Sequence, residues 1–412
     1  MTELLSPAGS PESLKMAVLY GADAVYLGCK SRGGHSAFSM RASPENFNLD
    51  ELAEAVDFAH KHGAKVYLTC NIIPTNGEAE SFPAFIIEAE KTGIDAVIVA
   101  DLGMLEAVKK HAPNLDVHIS TQAGVTNYAA ANAFHKLGAK RVILARETSL
   151  TEIAQIRAKT SAELELEAFV HGAMCVSFSG RCLLSQYFVN RDANRGECAQ
   201  PCRWGYYLLE EKRLNQPLEI MENERGTFIM NAKDLCMIEH LGKMKDAGIS
   251  SFKIEGRAKS AYYTAVITNA YRAALDAVGR GEAVPDWALQ DVQKVSHREY
   301  CTGFYFGAEN AVQFYEDSGY VREWDFIGVV NEDLSVTQRN YFTLDDEIEI
   351  ISPCRGAHCA SENTPKKIKI LSMKNEKEQP VEIANKATER LFIECDVELK
   401  AFSVLRKRTN SQ

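Results

Sequence analysis

The chain has 412 residues, enough for a large core and for more than one folded unit. A net charge of −10 excludes a uniformly basic nucleic-acid coat, although one local basic patch on an acidic body stays compatible with it. With 46% hydrophobic and 25% charged residues the composition is that of a globular protein, and no apolar run nears the roughly 20 residues of a membrane helix.

The chain starts Met1-Thr2-Glu3-Leu4-Leu5 and enters an apolar segment with no basic-then-apolar leader, so a cytoplasmic protein with no membrane partner is expected. From there a short apolar strand, a polar turn and an amphipathic helix recur. Strands are predicted at 3–6, 24–28, 65–71, 96–101, 117–120, 141–146, 166–171 and 251–255. Their cores (AVYL, VYLTC, AVIVA) are continuous apolar runs, as parallel strands covered on both faces require. Helical periodicity fills the gaps, for example at 50–62, 82–91 and 149–159. Eight such units over roughly 280 residues predict a TIM-like (β/α)8 barrel within 1–320. An open doubly wound sheet is the competing reading, but no glycine-rich dinucleotide fingerprint follows the first strand. The repeat breaks once, at a cysteine-rich insertion over 173–231 with a Glu/Arg-rich tongue at 210–225. After a long helix at 261–281 the texture turns to short strands at 325–330, 347–351, 367–371 and 391–398, which predicts a small β-barrel domain over 321–412. It ends in Arg406-Lys407-Arg408, read as a solvated basic tail.

The C-terminal ends of the predicted strands carry polar side chains: Ser6, Asn71, Asp101, Ser120, Thr121, Gln122, Asn127, Arg146, Glu147, His171, Glu255 and Arg257. In a barrel these converge on one mouth, where active sites are built. Ser120 and Asn127 also suit helix caps, whereas Arg146, Glu147, His171, Glu255 and Arg257 do not.

The eleven cysteines are not disulfides by default in a reducing compartment. Cys29, Cys70, Cys301, Cys354, Cys359 and Cys395 are isolated and read as packed residues. Cys175, Cys182, Cys198, Cys202 and Cys236 cluster. Four thiolates are what a [4Fe–4S] cluster requires, and Gly172 and Gly180 let the backbone wrap close to it. Zinc is the alternative, although only Cys198 and Cys202 resemble a knuckle. A nucleophilic pair of Cys175 or Ser177 with His171 is a third reading, without an orienting residue. Arg181, Arg191, Arg195 and Arg203 lie among Tyr187, Phe188 and Trp204, a composition suited to single-stranded RNA or to a solvated loop.

The stretch Glu167-x-Phe169-x-x-Gly172-Ala173-x-Cys175-x4-Gly180-x-Cys182-x-Leu184-Ser185 resembles the signature of the collagenase-like peptidase family, U-32. Further resemblance runs through Leu4-Leu5-Ser6-Pro7-Ala8-Gly9, His118-Ile119-Ser120-Thr121-Gln122-Ala123, Asn190-Arg191-Asp192 and Lys253-Ile254-Glu255-Gly256-Arg257, and covers nearly the whole chain. The resemblance implies an oxygen-independent hydroxylase that holds a [4Fe–4S] cluster and takes its oxygen from prephenate. The segment from Arg191 to Trp204 looks most like the branch that makes 5-hydroxyuridine at the tRNA wobble position. Other branches imply rRNA cytidine or quinone-ring hydroxylation, and the peptidase reading stays as the rival. The resemblance implies Cys175, Cys182 and Cys198 as ligands, with Cys202 preferred over Cys236 as the fourth.

On this reading tRNA is the expected partner and DNA is not; a partner subunit is left open. Arg146 and Arg257, with Arg41 in reserve, are the expected anchors for the dicarboxylate, because bidentate arginine suits carboxylates. His171 and Glu255 are the expected proton-transfer groups, with Glu147 beside them. Asn71, Gln122, Arg181, Arg191 and Trp204 are expected to bind substrate.

Overall fold

Strands that are apolar at every position need cover on both faces, and a closed barrel ringed by helices supplies it. The computed structural model describes residues 2–30, 36–40, 45–175, 177–204, 207–208, 218–219, 233–307, 320–354 and 364–409. The barrel strands are β1 (Glu3–Pro7), β2 (Ala24–Leu27), β3 (Lys65–Cys70), β4 (Ala96–Val99), β5 (Asp116–Ile119), β6 (Arg141–Ile143), β7 (Glu165–Ala173) and β8 (Ser251–Ile254). They pair parallel in chain order, and β8 pairs with both β7 and β1, which closes the sheet. Closure confirms the expected (β/α)8 barrel and removes the open-sheet alternative.

Helices α1 (Pro11–Leu19), α2 (Leu49–Lys61), α3 (Asn76–Lys91), α4 (Leu102–His111), α5 (Tyr128–Lys136) and α6 (Leu150–Ala158) follow the first six strands. Their starts are capped. Asn48 and Ser149 form reciprocal capping boxes with Glu51 and Glu152. Asp101 and Asn127 accept N–H bonds at the starts of α4 and α5, so these two strand-end residues are caps and not members of the site.

The insertion leaves from the end of β7. It carries the short helix α7 (Leu184–Val189), and the tongue at 210–225 lies almost wholly outside the described residues. The chain returns along Asp234–Cys236, which pairs antiparallel with the outer end of β7. It then passes through α8 (Leu241–Asp246) to β8 and to α9 (Ala261–Gly279), a helix buried along nearly its whole surface. Among the described residues no helix is long and apolar enough to cross a membrane.

The C-terminal unit has strands β9 (Trp324–Val330), β10 (Val336–Gln338), β11 (Ile348–Ile351), β12 (Lys366–Ile368), β13 (Ile370–Asn375), β14 (Arg390–Cys395) and β15 (Val404–Arg408). They form one antiparallel sheet in the order β12-β11-β15-β9-β10-β14-β13. Its two end members are consecutive in the chain across Lys369, so the sheet wraps round on itself about a core that includes Ile327, Phe342, Ile348 and Leu405. The Arg406-Lys407-Arg408 segment is not a solvated tail. It belongs to β15, the strand between β11 and β9. Arg406 is fully buried and bridges Asp291 at 2.5 Å and Glu349 at 2.7 Å, tying this unit to the barrel. The Tyr20 hydroxyl adds to that junction by donating to the carbonyl oxygens of Ile351 and Phe402.

Candidate active site

The strand ends and the insertion enclose a chamber of about 140 Å³ over the barrel mouth. From the strand ends it is lined by Asn71, Ser120, Thr121, Gln122, Arg146, Glu255 and Arg257; from the insertion, by Cys175, Cys182, Cys198 and Cys202. The two groups of candidate residues therefore share one cavity.

Arg146 is largely buried. One Nη1 hydrogen goes to the Ala173 carbonyl at 3.3 Å, Nη2 lies 3.6 Å from Glu255 Oε2, and the guanidinium sits 4.0 Å above the Phe169 ring. Glu255 also accepts from the Tyr26 hydroxyl at 3.4 Å. Arg257 donates through Nη1 to Ser39 Oγ at 2.8 Å and to Thr69 Oγ1 at 2.6 Å, and through Nη2 to the Met40 carbonyl. Those bonds fasten the loop before residue 41 to β3, so Arg257 shapes the wall while lining it. Arg41 lies outside the described residues. Gln122 Oε1 is buried with no hydrogen-bond partner among the described residues. A buried acceptor of this kind is costly unless a ligand donor meets it.

The cysteine segment is built from tight turns. Gly180 and Gly196 have φ of 81° and 87°, which a side chain would resist. Asn194 locks one turn by accepting from the Cys182 N–H and donating to the Cys182 carbonyl. The sulfurs already accept hydrogen bonds: Leu184 N–H donates to Cys182 Sγ, and Gln200 N–H and Ser185 Oγ–H donate to Cys198 Sγ. Three contacts clamp this segment onto the barrel. Arg195 forms a two-point ion pair with Glu78, and its hydrogen bonding holds the Glu78 carboxyl down to about 2. Ser179 donates from N and Oγ to Glu147 at 2.7 and 2.9 Å, and Arg181 Nε donates to the Gln122 carbonyl at 2.7 Å. Glu147, expected beside the proton-transfer groups, thus holds the insertion down and does not line the chamber.

Two other candidates are placed away from the cavity. His171 is buried behind the wall, its Nδ1 3.2 Å from the Tyr271 hydroxyl and its Nε2 3.4 Å from that of Tyr300. Burial holds its imidazole down to about 3, so it is neutral and engaged at both nitrogens. It forms no nucleophilic pair with Cys175 or Ser177. The reason is strand register: Gly172, at φ 106°, turns the chain after His171, so His171 points into the packing around α9 while Cys175 reaches the cavity. Cys236 lies in the same packed region, 3.8 Å from the Tyr271 hydroxyl, and burial pushes its thiol up to about 11. Among the described residues no three His, Cys, Asp or Glu side chains converge on a point as a single-metal site requires.

Arg181, apart from its bond to the Gln122 carbonyl, and Arg191 are exposed side chains of the insertion. Trp204 is also exposed there and meets Phe188 edge-on at 6.3 Å, beside the exposed Tyr187. Among the residues missed at the cavity are the polar strand residues Tyr26, Thr69 and Lys253. Alternation along the strands was the signal for them, since every second residue of a barrel strand faces inward.

The fold and the chamber define a (β/α)8-barrel protein with a thiol-lined mouth and an antiparallel-sheet appendage. The family model described as "Peptidase family U32" matches residues 9–313, and the one described as "Peptidase family U32 C-terminal domain" matches 322–406. The chain belongs to this family. It is 38% identical to "tRNA hydroxylation protein P1" of Bacillus subtilis over 362 residues, 85% of this chain and 83% of that one. It is 34% identical to "tRNA hydroxylation protein P" of Escherichia coli over 399 residues, covering 85% and 86%. An uncharacterized protease of Methanocaldococcus jannaschii is 43% identical over 311 residues, covering 74% and 73%.

Proposed function

We propose that this protein is an RNA hydroxylase of the cytoplasm. Its reaction is the oxygen-independent formation of 5-hydroxyuridine at the tRNA wobble position, with a [4Fe–4S] cluster as cofactor and prephenate as oxygen donor. The observation that carries the reading is the joining of Cys175, Cys182, Cys198 and Cys202 with Arg146 and Glu255 around one chamber. Similarity to two tRNA hydroxylation proteins over most of the chain supports RNA as substrate.

The residues present fit such a cluster. Four thiols surround a volume, two glycine turns leave room for bulk, and hydrogen bonds to sulfur of the kind found at Cys182 and Cys198 tune cluster potentials. Cys202 is the fourth ligand on this reading, because it lines the chamber and Cys236 does not. When bound, the cluster supplies one-electron redox chemistry beside the mouth of the barrel.

The chain's own residues do the rest. Arg146 holds an anionic co-substrate, a role for which a charge-assisted guanidinium–carboxylate bond is strong. Glu255, ion-paired to Arg146, is the carboxylate placed to move a proton at the reacting carbon. Gln122 Oε1 is an acceptor for an N–H on the edge of the base. The exposed Tyr187, Phe188 and Trp204 offer stacking faces, and the exposed Arg181 and Arg191 offer cations, to the unstacked nucleotides around it.

The test is nucleoside mass spectrometry of tRNA and rRNA from cells with and without this protein. Loss of 5-hydroxyuridine from tRNA is the expected result. Unchanged tRNA with loss of an rRNA hydroxycytidine moves the substrate within the family, and intact modification with lost peptide hydrolysis sinks the hydroxylase reading.

A further inference from the structure

Lys253 sits inside the barrel, where a charge is costly unless paired. Ser251 and Lys253 alternate along β8, and both reach Glu167 on β7. Lys253 Nζ donates to Glu167 Oε1 at 2.9 Å, while Oε2 accepts from Arg141 Nη1 at 2.9 Å and Ser251 Oγ at 3.1 Å. An ammonium has three N–H donors. Among the described residues only Glu167 offers Lys253 an acceptor. Its other neighbours are ring faces, Tyr26 at 4.5 Å and Phe169 at 5.6 Å. Lys253 lines the chamber, so its remaining donors have a ligand space to serve. A buried donor without an acceptor is costly, and a bound anion removes that cost.

Arg146 stands over the same Phe169 ring, at 4.0 Å. Two cations therefore share one ring at the wall of a cavity of about 140 Å³. We propose that Lys253 and Arg146 form a two-point anion site that takes a small ring-bearing dicarboxylate, one carboxylate to each cation. Glu167 is the positioning residue that aims Lys253. The inference rests on the dicarboxylate reading of the co-substrate and names the residue that reading lacked.

The experiment is calorimetric titration of anaerobically purified, cluster-loaded protein with prephenate and with the monocarboxylate phenylpyruvate, without RNA. Wild type is expected to prefer prephenate. Lys253→Met is expected to weaken prephenate binding by about ten-fold or more and to narrow the preference over phenylpyruvate. The double variant Lys253→Met/Glu167→Gln leaves no uncompensated buried carboxylate and must show the same loss if the single variant folds poorly. In turnover, Glu167→Gln should raise the KM for prephenate more than it lowers kcat, which general loosening of the barrel would not do. Wild-type prephenate affinity in both Lys253 variants overturns the assignment and leaves the co-substrate reading standing. A wild-type protein that binds neither compound overturns both.

Discussion

Replacing Gly172 with alanine places a Cβ 2.4 Å from the carbonyl oxygen of Glu255 and 2.9 Å from its Cβ, where ordinary contact begins near 3.4 Å. The Glu255 peptide must then yield by about 1 Å. It is not free to do so. Its N–H donates to the His171 carbonyl at 2.8 Å, and its carbonyl accepts from the Tyr263 hydroxyl at 2.8 Å. Gly172 also has a φ of 106°, which costs an L-residue about 1–2 kcal/mol, and overpacking adds about 1–3. A destabilisation of about 3 kcal/mol lowers the melting step of a barrel this size by on the order of 4–5 °C. Displacing the Glu255 carboxylate by about 1 Å costs on the order of 100-fold in turnover. Gly63 is the control: it has φ 68° but nothing within 4 Å, so Gly63→Ala carries the backbone cost of about 1 kcal/mol alone. Differential scanning and single-turnover RNA hydroxylation read the two effects. If Gly172→Ala melts and turns over like Gly63→Ala, the close approach to Glu255 does not constrain the site and the reasoning is wrong.

Cys202→Ser should abolish the broad visible absorption of anaerobically purified protein while Cys236→Ser keeps it; the reverse pattern moves the fourth ligand to Cys236. Burial holds both His118 and His171 far below their ordinary range, so the unfolded chain takes up their protons first as pH falls below about 6.5. Each contributes a loss of stability of up to about 1.4 kcal/mol per pH unit on descent from there, continuing for His171 down to about 3. Denaturant midpoints at pH 7, 6 and 5 should show a shallower slope in His171→Gln, and an unchanged slope refutes the assignment. Arg406→Met should cost on the order of 3 kcal/mol by leaving Lys294 as the one cation among the described residues still paired with Asp291 and Glu349, and Arg406→Met/Asp291→Asn should recover part of it, which urea unfolding will read.

Legibility differed by element. The barrel could be read because β2 and β4 are buried at every position, a pattern that only two-sided cover explains. The chamber cysteines could be read because they sit close together in the chain between glycine turns. The basic end of β15 was misread, since three successive cations look solvated until partners from distant parts of the chain are known. Asp291 lies 115 residues before Arg406.

The thiol-lined insertion around Cys175 and Cys182, the eight strands and the polar strand ends were thus determined by sequence alone, because local spacing and periodicity carry them. Which strand-end residues face the cavity was decided only by tertiary structure. His171 and Cys236 turn into the packing around Tyr271, whereas Arg146, Glu255 and Lys253 turn inward. That choice depends on the pleat and the register of β7 against β8, where a bulge between Lys253 and Ile254 and the bend at Gly172 set the facing of each side chain.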